Sequence, residues 1–458
     1  MANSKRRNMP NPIPAKPFEP PNYDDKLDFE EIALKDPDFA HILSSNNGIF
    51  DFHKPEHMLQ LTNSLLKRDF RLRLKVPNDR LCPPVPIRWS YVQWIQGLID
   101  STSDKYYIGY DPSRQVTGID VGVGSSCIYP LLACTARRNW KFIGTDIDDT
   151  NFDHAAYNTR NNGLDQCIRL VKTLPHEPFW DLKKLKIEKA DFTMCNPPFF
   201  ASNQERLSTF DKDSPPHAIC TGAEVEMVTR GGELAFVLSM VEESRSLGTK
   251  IQWFTSQLGK VASLPIIVRQ LRQHGCSNWA VGILNQNART RRWVIGWSWC
   301  DLKPSKEVAR NQQVPVLQMW PTEYSIWSQK YTKEALVSAV DRTLSDLDLD
   351  WSYDPESLTG LGTTKGDVWS RAARRKRKME LQEMSTTESS ANSAKTAATM
   401  SSPMTSTDEA IPEMVFRVSI STAEDTVHLR WLKGVDSVLW DSFCGMMRRK
   451  LTDNIAAF

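Results

Sequence analysis

A strand, a glycine turn, a helix and a second strand closed by an acid follow one another along this chain, and few folds accommodate that order. QVTGIDVGVGSSCIYPLL reads as a strand, Val116 to Asp120, that runs into Gly122 and Gly124 and then into a helix through Pro130. Glycines at such a turn let a nucleotide-like ligand approach the backbone at the carboxyl end of a parallel sheet. No Lys-Ser/Thr pair follows them, which excludes a triphosphate-binding loop. WKFIGTDIDD then gives a second strand ending in Asp146, where a carboxylate can take both hydroxyls of a ribose. A helix from Asp148 to Asn162 is closed by Gly163, and Ile168 to Val171 and Asp191 to Cys195 read as the third and fourth strands. Such alternation implies a parallel sheet covered on both faces, with its ligand crevice at the strand carboxyl ends. Gly122, Asp146 and Asn196 therefore border one crevice.

Asn196-Pro197-Pro198-Phe199 breaks the fourth strand abruptly, because proline lacks an N–H and fixes φ. The result is a rigid, polar strand end. Asn196 offers a carbonyl acceptor and two donors, the Asn-Pro link presents a main-chain carbonyl, and Phe199 supplies a flat apolar face. An exocyclic amine on a planar ring fits that set: two oxygens accept its protons while the aromatic ring stacks on the base. Accepting both protons frees the nitrogen lone pair for attack on an electrophile held opposite. This chemistry asks for positioning and electrostatic preorganisation, with no covalent enzyme intermediate. Without its context, the same tetrapeptide is also a plain stop signal for a strand.

The 458 residues have room for about three domains. A net charge of +2 means that any nucleic-acid contact must come from locally clustered bases. Nine cysteines contain no CxxC pair and eight histidines are scattered, so neither a disulfide framework nor a metal site is expected. With no apolar run of about 18 residues, the chain reads as soluble and intracellular. Residues 1–27 form a basic, proline-rich arm carrying Lys5, Arg6 and Arg7. Residues 28–303 form the main domain, whose first part is helical. There PPVPIRWSYVQW has an extended, proline-enforced approach and puts Arg88, a fork suited to a carboxylate, just before a helix. Ala201 to Cys220 reads as a mobile lid or substrate loop. A helix from Gly231 to Ser246, a strand from Ile251 to Ser256, a loop with Gly259 and Lys260, a helix from Leu264 to His274 and a closing hairpin complete the domain. The hairpin link ARTRRW gathers Arg289, Arg291 and Arg292 beside Trp293, a mixture suited to an RNA backbone and its bases. Residues 304–361 and 411–458 are expected to fold together as one α+β module, with 362–410 as an insertion. That insertion opens on RAARRKRK, including Arg374, Arg375, Lys376 and Arg377, which reads either as a nuclear-import signal or as a phosphate-binding segment; its Ser/Thr/Ala/Met-rich remainder reads as disordered.

The crevice resembles that of class I (Rossmann-like) S-adenosylmethionine-dependent methyltransferases, and its tetrapeptide is like that of the members acting on exocyclic or amide nitrogens. More narrowly, PPVPIRWSYVQWI, GIDVGVGSSCIYPLL, CNPPFFA, GGELAFV and RTRRWVIGWSW are similar to the family that N6-methylates adenosine in U6 spliceosomal RNA and certain messenger-RNA hairpins. The likeness covers about residues 28 to 300. A weaker one relates the split C-terminal module to a KA1-like accessory region that binds U6 RNA. The resemblance implies an α/β methyltransferase domain with S-adenosyl-L-methionine as cofactor, held by Arg88, Asp120, Gly122, Gly124, Asp146 and Asn196. It implies that Asn196, Pro197, Pro198 and Phe199 hold a flipped adenine. Lys260 falls at a loop able to block the cofactor site, and Arg289 and Arg292 at RNA-contacting arginines. A monomer working on a U6 snRNA-like hairpin in the nucleus, and in the cytoplasm as well, is expected. Two departures stand out: Asp146 replaces a glutamate, and the loop after the tetrapeptide carries Asp211, Lys212 and Asp213 where the family is strongly basic. The competing readings are a protein-glutamine N5 methyltransferase and a non-catalytic RNA-binding scaffold.

Overall fold

The structure, a computed structural model, describes residues 18–23, 27–208, 222–284, 291–309, 317, 320–327, 332–379, 382 and 413–453. Lys5, Arg6, Arg7, Arg289, Asp211 to Asp213 and the Ser/Thr-rich stretch lie outside these residues.

Three helices lead in, α1 (Phe29–Lys35), α2 (Pro37–Ser45) and α3 (Pro55–Leu65), followed by the long α4 (Val85–Ser101). Asp28 caps α1 by accepting from the amides of Glu30 and Glu31. Pro86 does not hold the chain extended as expected. It sits in the first turn of α4, where its missing N–H is one the helix leaves unpaired anyway, so Arg88 lies inside the helix rather than before it.

The alternating pattern then builds β1 (Val116–Val121), α5 (Ile128–Ala136), β2 (Trp140–Asp146), α6 (Asp149–Asn161), β3 (Ile168–Lys172) and β4 (Ala190–Cys195). After the short α7 (Asn203–Ser208) and α8 (Glu224–Met227) come α9 (Gly232–Leu247), β5 (Ile251–Leu258), α10 (Ser263–Gln273) and the hairpin of β6 (Trp279–Leu284) and β7 (Arg292–Trp297). The seven strands form one sheet in the order β3-β2-β1-β4-β5-β7-β6. β1 to β5 are parallel, and β7 runs antiparallel to both β5 and β6. This is the Rossmann-like arrangement with a reversed hairpin at one edge. Its strands are near-continuously buried because both faces are covered: Trp89, Tyr91, Leu131 and Phe192 pack on one side, and Trp180, Met240, Phe254 and Ile267 on the other.

After α11 (Lys306–Ala309), a second sheet ordered β8-β12-β11-β10-β9 is antiparallel throughout. Its strands are β8 (Glu323–Trp327), β9 (Asp350–Asp354), β10 (Thr359–Thr364), β11 (Met414–Ser421) and β12 (Thr426–Gly434). α12 (Lys333–Ser345), α13 (residues 371–379) and α14 (Ser437–Asp453) accompany it. Segments before and after the expected insertion thus share one sheet. β10 runs past residue 361, and Trp369 packs on Phe443 and donates to Ser442 Oγ at 3.0 Å. The two sheets are tied by main-chain bonds from Lys303 N to Leu432 O (2.8 Å) and Gly434 N to Asp301 O (3.0 Å), and by Arg430, whose Nη2 donates to Ser101 O at 2.9 Å.

Candidate active site

Strand register sets the site. Val121 of β1 pairs with Thr145 of β2 and with Cys195 of β4, so the next residue of each strand, Gly122, Asp146 and Asn196, stands in one row at the carboxyl edge. Thr193 pairs with Phe254, which carries Gln257 of β5 into the same row beside Asn196. A cavity of about 300 Å³ opens on this edge and is lined by Arg88, Gly122, Gly124, Asp146, Asn196 and Pro198, among others.

The glycine turn is locked to β2. Gly122 and Gly124 take φ of +71° and +66°, a region that favours glycine, and a Cβ on Gly122 would meet open space. Gly124 N donates to Asp146 Oδ2 at 2.8 Å, Asp148 N donates to Asp146 Oδ1 at 2.9 Å, and Val123 N reaches Thr145 O at 2.8 Å. Each carboxylate oxygen of Asp146 keeps lone-pair capacity for a ligand hydroxyl. Burial pushes its pKa up, while those two amides oppose the shift.

Arg88 reaches the row from α4. Its Nη1 donates to Tyr129 Oη at 2.6 Å and, at a longer 3.4 Å, to Gln257 Oε1, and Tyr129 Oη donates to the same oxygen at 3.2 Å. Arginine has only donors, so the Gln257 carboxamide must turn its oxygen toward it. The amide nitrogen is thereby aimed the other way, and Gln257 Nε2 donates to Asn196 Oδ1 at 2.9 Å. The relay Arg88–Gln257–Asn196 fixes which atom of Asn196 is the acceptor. One lone pair of that oxygen remains.

Asp120 behaves differently from expectation. It is 1% exposed and does not line the cavity; its neighbouring charges are Asp146 and Arg88. Burial first, then Asp146, push its pKa up to about 8, with Arg88 opposing. Both its carboxylate oxygens, with Arg88 Nε, are buried without a hydrogen-bond partner.

Phe199 stands at the rim, held by two close approaches. A Cβ on Gly232 would come within 3.2 Å of Phe199 O, and one on Gly259 within 3.2 Å of the Phe199 ring. The Arg292 guanidinium lies 5.5 Å from the ring centroid. Pro197 is buried in the turn, and Phe200 N and Phe200 O bond Met227 O and Thr229 N, strapping the chain that leaves the tetrapeptide.

Lys260 lies outside the cavity. Its segment is pinned by Glu233, which accepts from Gly259 N (2.6 Å), Lys260 N (2.9 Å) and Ser263 Oγ (2.8 Å), and its ammonium pairs with Glu205 at 2.7 Å. The loop bordering the cavity is instead the one after β3, through Thr173, Leu174, Glu177 and Phe179. Arg374, Arg375, Lys376 and Arg377 are exposed on α13 of the second module, Arg377 pairing with Asp348 at 2.8 Å.

Sequence reasoning passed over Gln257, Tyr129 and Glu226. Gln257 shares β5 with Gln252, Thr255 and Ser256, so its residue type alone did not mark it out. Glu226 lines the cavity and its Oε2 accepts from Leu81 N (2.9 Å) and Ala223 N (3.0 Å), joining the segment before α4 to the one before α8; nothing in its spacing announces this.

Known proteins are similar to this chain over most of its length. The chain is 30% identical over 419 residues, 90% of its length and 97% of the relative's, to the U6 small nuclear RNA (adenine-(43)-N(6))-methyltransferase of Schizosaccharomyces pombe. It is 30% identical over 468 residues, 95% of its length and 97% of the relative's, to the RNA N(6)-adenosine-methyltransferase mettl16 of Danio rerio. The crystal structure of the hMettl16 catalytic domain in complex with MAT2A 3′UTR hairpin 6 superposes with a TM-score of 0.53 at 34% identity, covering 61% of this chain and 95% of that one. Residues 15–301, which contain the whole row of strand ends and the cavity above it, match the profile of one RNA methyltransferase family, and to that family this chain belongs.

Proposed function

We propose that the chain methylates the N6 amine of an adenosine in structured RNA, with S-adenosyl-L-methionine as cofactor and a U6 snRNA-like hairpin as the favoured substrate. The carrying observation is the fixed acceptor. Asn196 Oδ1 is oriented by Gln257 at 2.9 Å and keeps a lone pair, while Phe199 beside it offers a ring face backed by the Arg292 cation. An adenine extruded from its stack finds there an acceptor for its amine and a surface for its ring.

The cavity residues fit the cofactor. Asp146 suits the ribose hydroxyls, the Gly122–Gly124 turn lets a ligand lie against backbone, and the spare donors of Arg88 suit a carboxylate. The bound cofactor supplies a methyl group on a sulfonium, an electrophile that needs no enzyme nucleophile. The chain's own contribution is alignment. Asn196 and the tetrapeptide main chain accept hydrogen bonds from the amine and expose its lone pair, the surplus proton passing to water after transfer, and the rigid Pro197-Pro198 turn keeps that geometry without reorganisation.

A protein-glutamine amide would suit the tetrapeptide equally, but a cation stacked on Phe199 at the rim favours a polyanionic substrate. We further propose that the chain acts as a monomer in the nucleus, with the exposed basic face of α13 contacting phosphates or an import receptor. Incubating the full chain with methyl-labelled cofactor, total nuclear RNA and, separately, a protein extract tests the substrate class. Label confined to RNA supports the reading, and label confined to protein overturns it.

A further inference from the structure

A second cavity, also of about 300 Å³, lies where the two modules meet, and nothing in the proposed reaction uses it. Its residues come from both sides: Arg272 and Trp279 from α10 and β6, Lys303 from the connecting segment, and Trp320 and Trp431 from the second module.

Lys303 is the anomaly. It is 3% exposed, yet among the described residues its ammonium has no hydrogen-bond acceptor or ion-pair partner; it lies 4.8 Å over the Trp431 ring. The neighbouring Asp301 carboxylate is shared with Lys433 at 3.9 Å. Burying an ammonium is costly, and burial pushes its pKa down to about 8 against the opposing charge of Asp301. Nearby, the Arg272 guanidinium lies 5.2 Å over the Trp279 ring. The indole N–H groups of Trp279 and Trp431 are already spent, on Leu317 O and Lys433 O, each at 2.7 Å. These two rings serve as platforms for the cations, Trp431 also stacking on Trp440 at 5.9 Å. Trp320, 68% exposed, adds a third aromatic surface at the mouth. The adjacent N-terminus of α14 is not an anion site, because Asp436 caps it by accepting from Val438 N (2.8 Å) and Leu439 N (3.0 Å).

Two cations, one of them buried and sharing the Asp301 carboxylate with Lys433, beside the exposed Trp320 ring match an anion joined to a planar ring. A carboxylate-bearing peptide supplies only the first half of that match. We propose that this junction cleft takes one unpaired nucleotide of the RNA substrate, its phosphate meeting Lys303 and Arg272 and its base stacking on Trp320. The inference rests on the RNA reading above. The volume suits about one nucleotide and excludes a paired helix. A hairpin with a single-stranded extension would then be gripped at the junction while its target base occupies the other cavity.

The test uses the full chain, a blunt hairpin, and the same hairpin with an unpaired extension, with binding followed by fluorescence anisotropy at two salt concentrations. Wild type should bind the extended hairpin about tenfold more tightly, as expected for one stacked base and one phosphate. Trp320→Ala removes an exposed ring and Lys303→Met removes a buried charge at similar volume, so both variants should fold. Each should bind the two RNAs alike, at the blunt level, and Lys303→Met should lower the salt slope for the extended RNA by about one. Equal binding of both RNAs by wild type, or a full difference surviving in both variants, overturns the proposal. Methylation of the blunt hairpin is measured on the same preparations. Its absence would sink the catalytic reading while leaving the binding difference to judge the cleft.

Discussion

Gln257 is the residue on which the orientation of Asn196 depends, and replacing it separates positioning from stability. Gln257→Leu keeps the volume but deletes the donor to Asn196 Oδ1 (2.9 Å) and the acceptor of Tyr129 (3.2 Å) and Arg88 (3.4 Å). Tyr129 still accepts from Arg88 at 2.6 Å, and the 3.4 Å bond is too long to count for much. The stability loss should therefore be that of one buried hydroxyl left without its acceptor, about 1–3 kcal/mol. For catalysis, a freed carboxamide samples orientations in which Nδ2 rather than Oδ1 meets the amine. Misplacement of this kind costs about 100-fold in kcat. Gln257→Glu discriminates the two effects. Its carboxylate accepts from Arg88 and Tyr129 but has no N–H for Asn196, so stability should hold while kcat falls as in the leucine variant. Steady-state methyl transfer to a hairpin, with thermal unfolding of the same samples, reads both quantities. A Gln257→Glu enzyme with kcat within about twofold of wild type would refute the relay.

Further outcomes follow from other parts of the molecule. Asp120 holds its proton up to about 8 in the folded chain but only to about 3.9 when unfolded. Between those values the folded state binds the extra proton, so stability falls as pH rises, and Asp120→Asn should remove that slope. The melting temperature advantage of Asp120→Asn over wild type, without cofactor, should widen from pH 5 to pH 8; a constant gap would contradict the burial argument. A Cβ on Gly118 would sit 2.4 Å from Phe192 Cζ, and that ring is wedged against Trp140 and Phe142. Gly118→Ala should cost about 1–3 kcal/mol in denaturant unfolding, and a neutral result would mean that β1 and β4 can part without penalty. Arg292→Gln, losing the cation over Phe199, should raise KM for RNA about two- to fivefold with cofactor affinity unchanged. An altered cofactor Kd there would move Arg292 from the rim to the cavity.

The parts legible from sequence share a cause. Strand, glycine turn and acid are local signals, and the parallel pairing of β1, β2 and β4 needs only that each strand end at the right residue, which Gly122, Asp146 and Asn196 each announce. Asn196 was readable because proline leaves so few options after it. Its partner was not, because Gln257 is significant only through the pairing of Thr193 with Phe254, a relation between segments far apart in the chain. Arg88 was assigned outside its helix because three prolines precede it, although proline in a first helical turn is no obstacle. β9 and β10 were not read as strands because β10 carries glycine on alternate positions. Those glycines make room for rings: a Cβ on Gly360 would lie 2.1 Å from Trp351, and one on Gly362 2.2 Å from Phe416. Lys260 was placed by motif position alone, and the fold adds what sequence could not show, its ion pair with Glu205 and its main-chain tether to Glu233.

The central claim is that Asn196, oriented from behind, presents an adenine amine for methyl transfer. Its most direct test is a single-turnover reaction of the purified full chain with methyl-labelled S-adenosylmethionine and a defined U6-like hairpin, read by nucleoside mass spectrometry, in wild type and Asn196→Ala with cofactor binding checked in both. Label in N6-methyladenosine from wild type, lost in Asn196→Ala while the cofactor still binds, is the predicted result. Undiminished N6-methyladenosine from Asn196→Ala, or label in any other nucleoside, would contradict it.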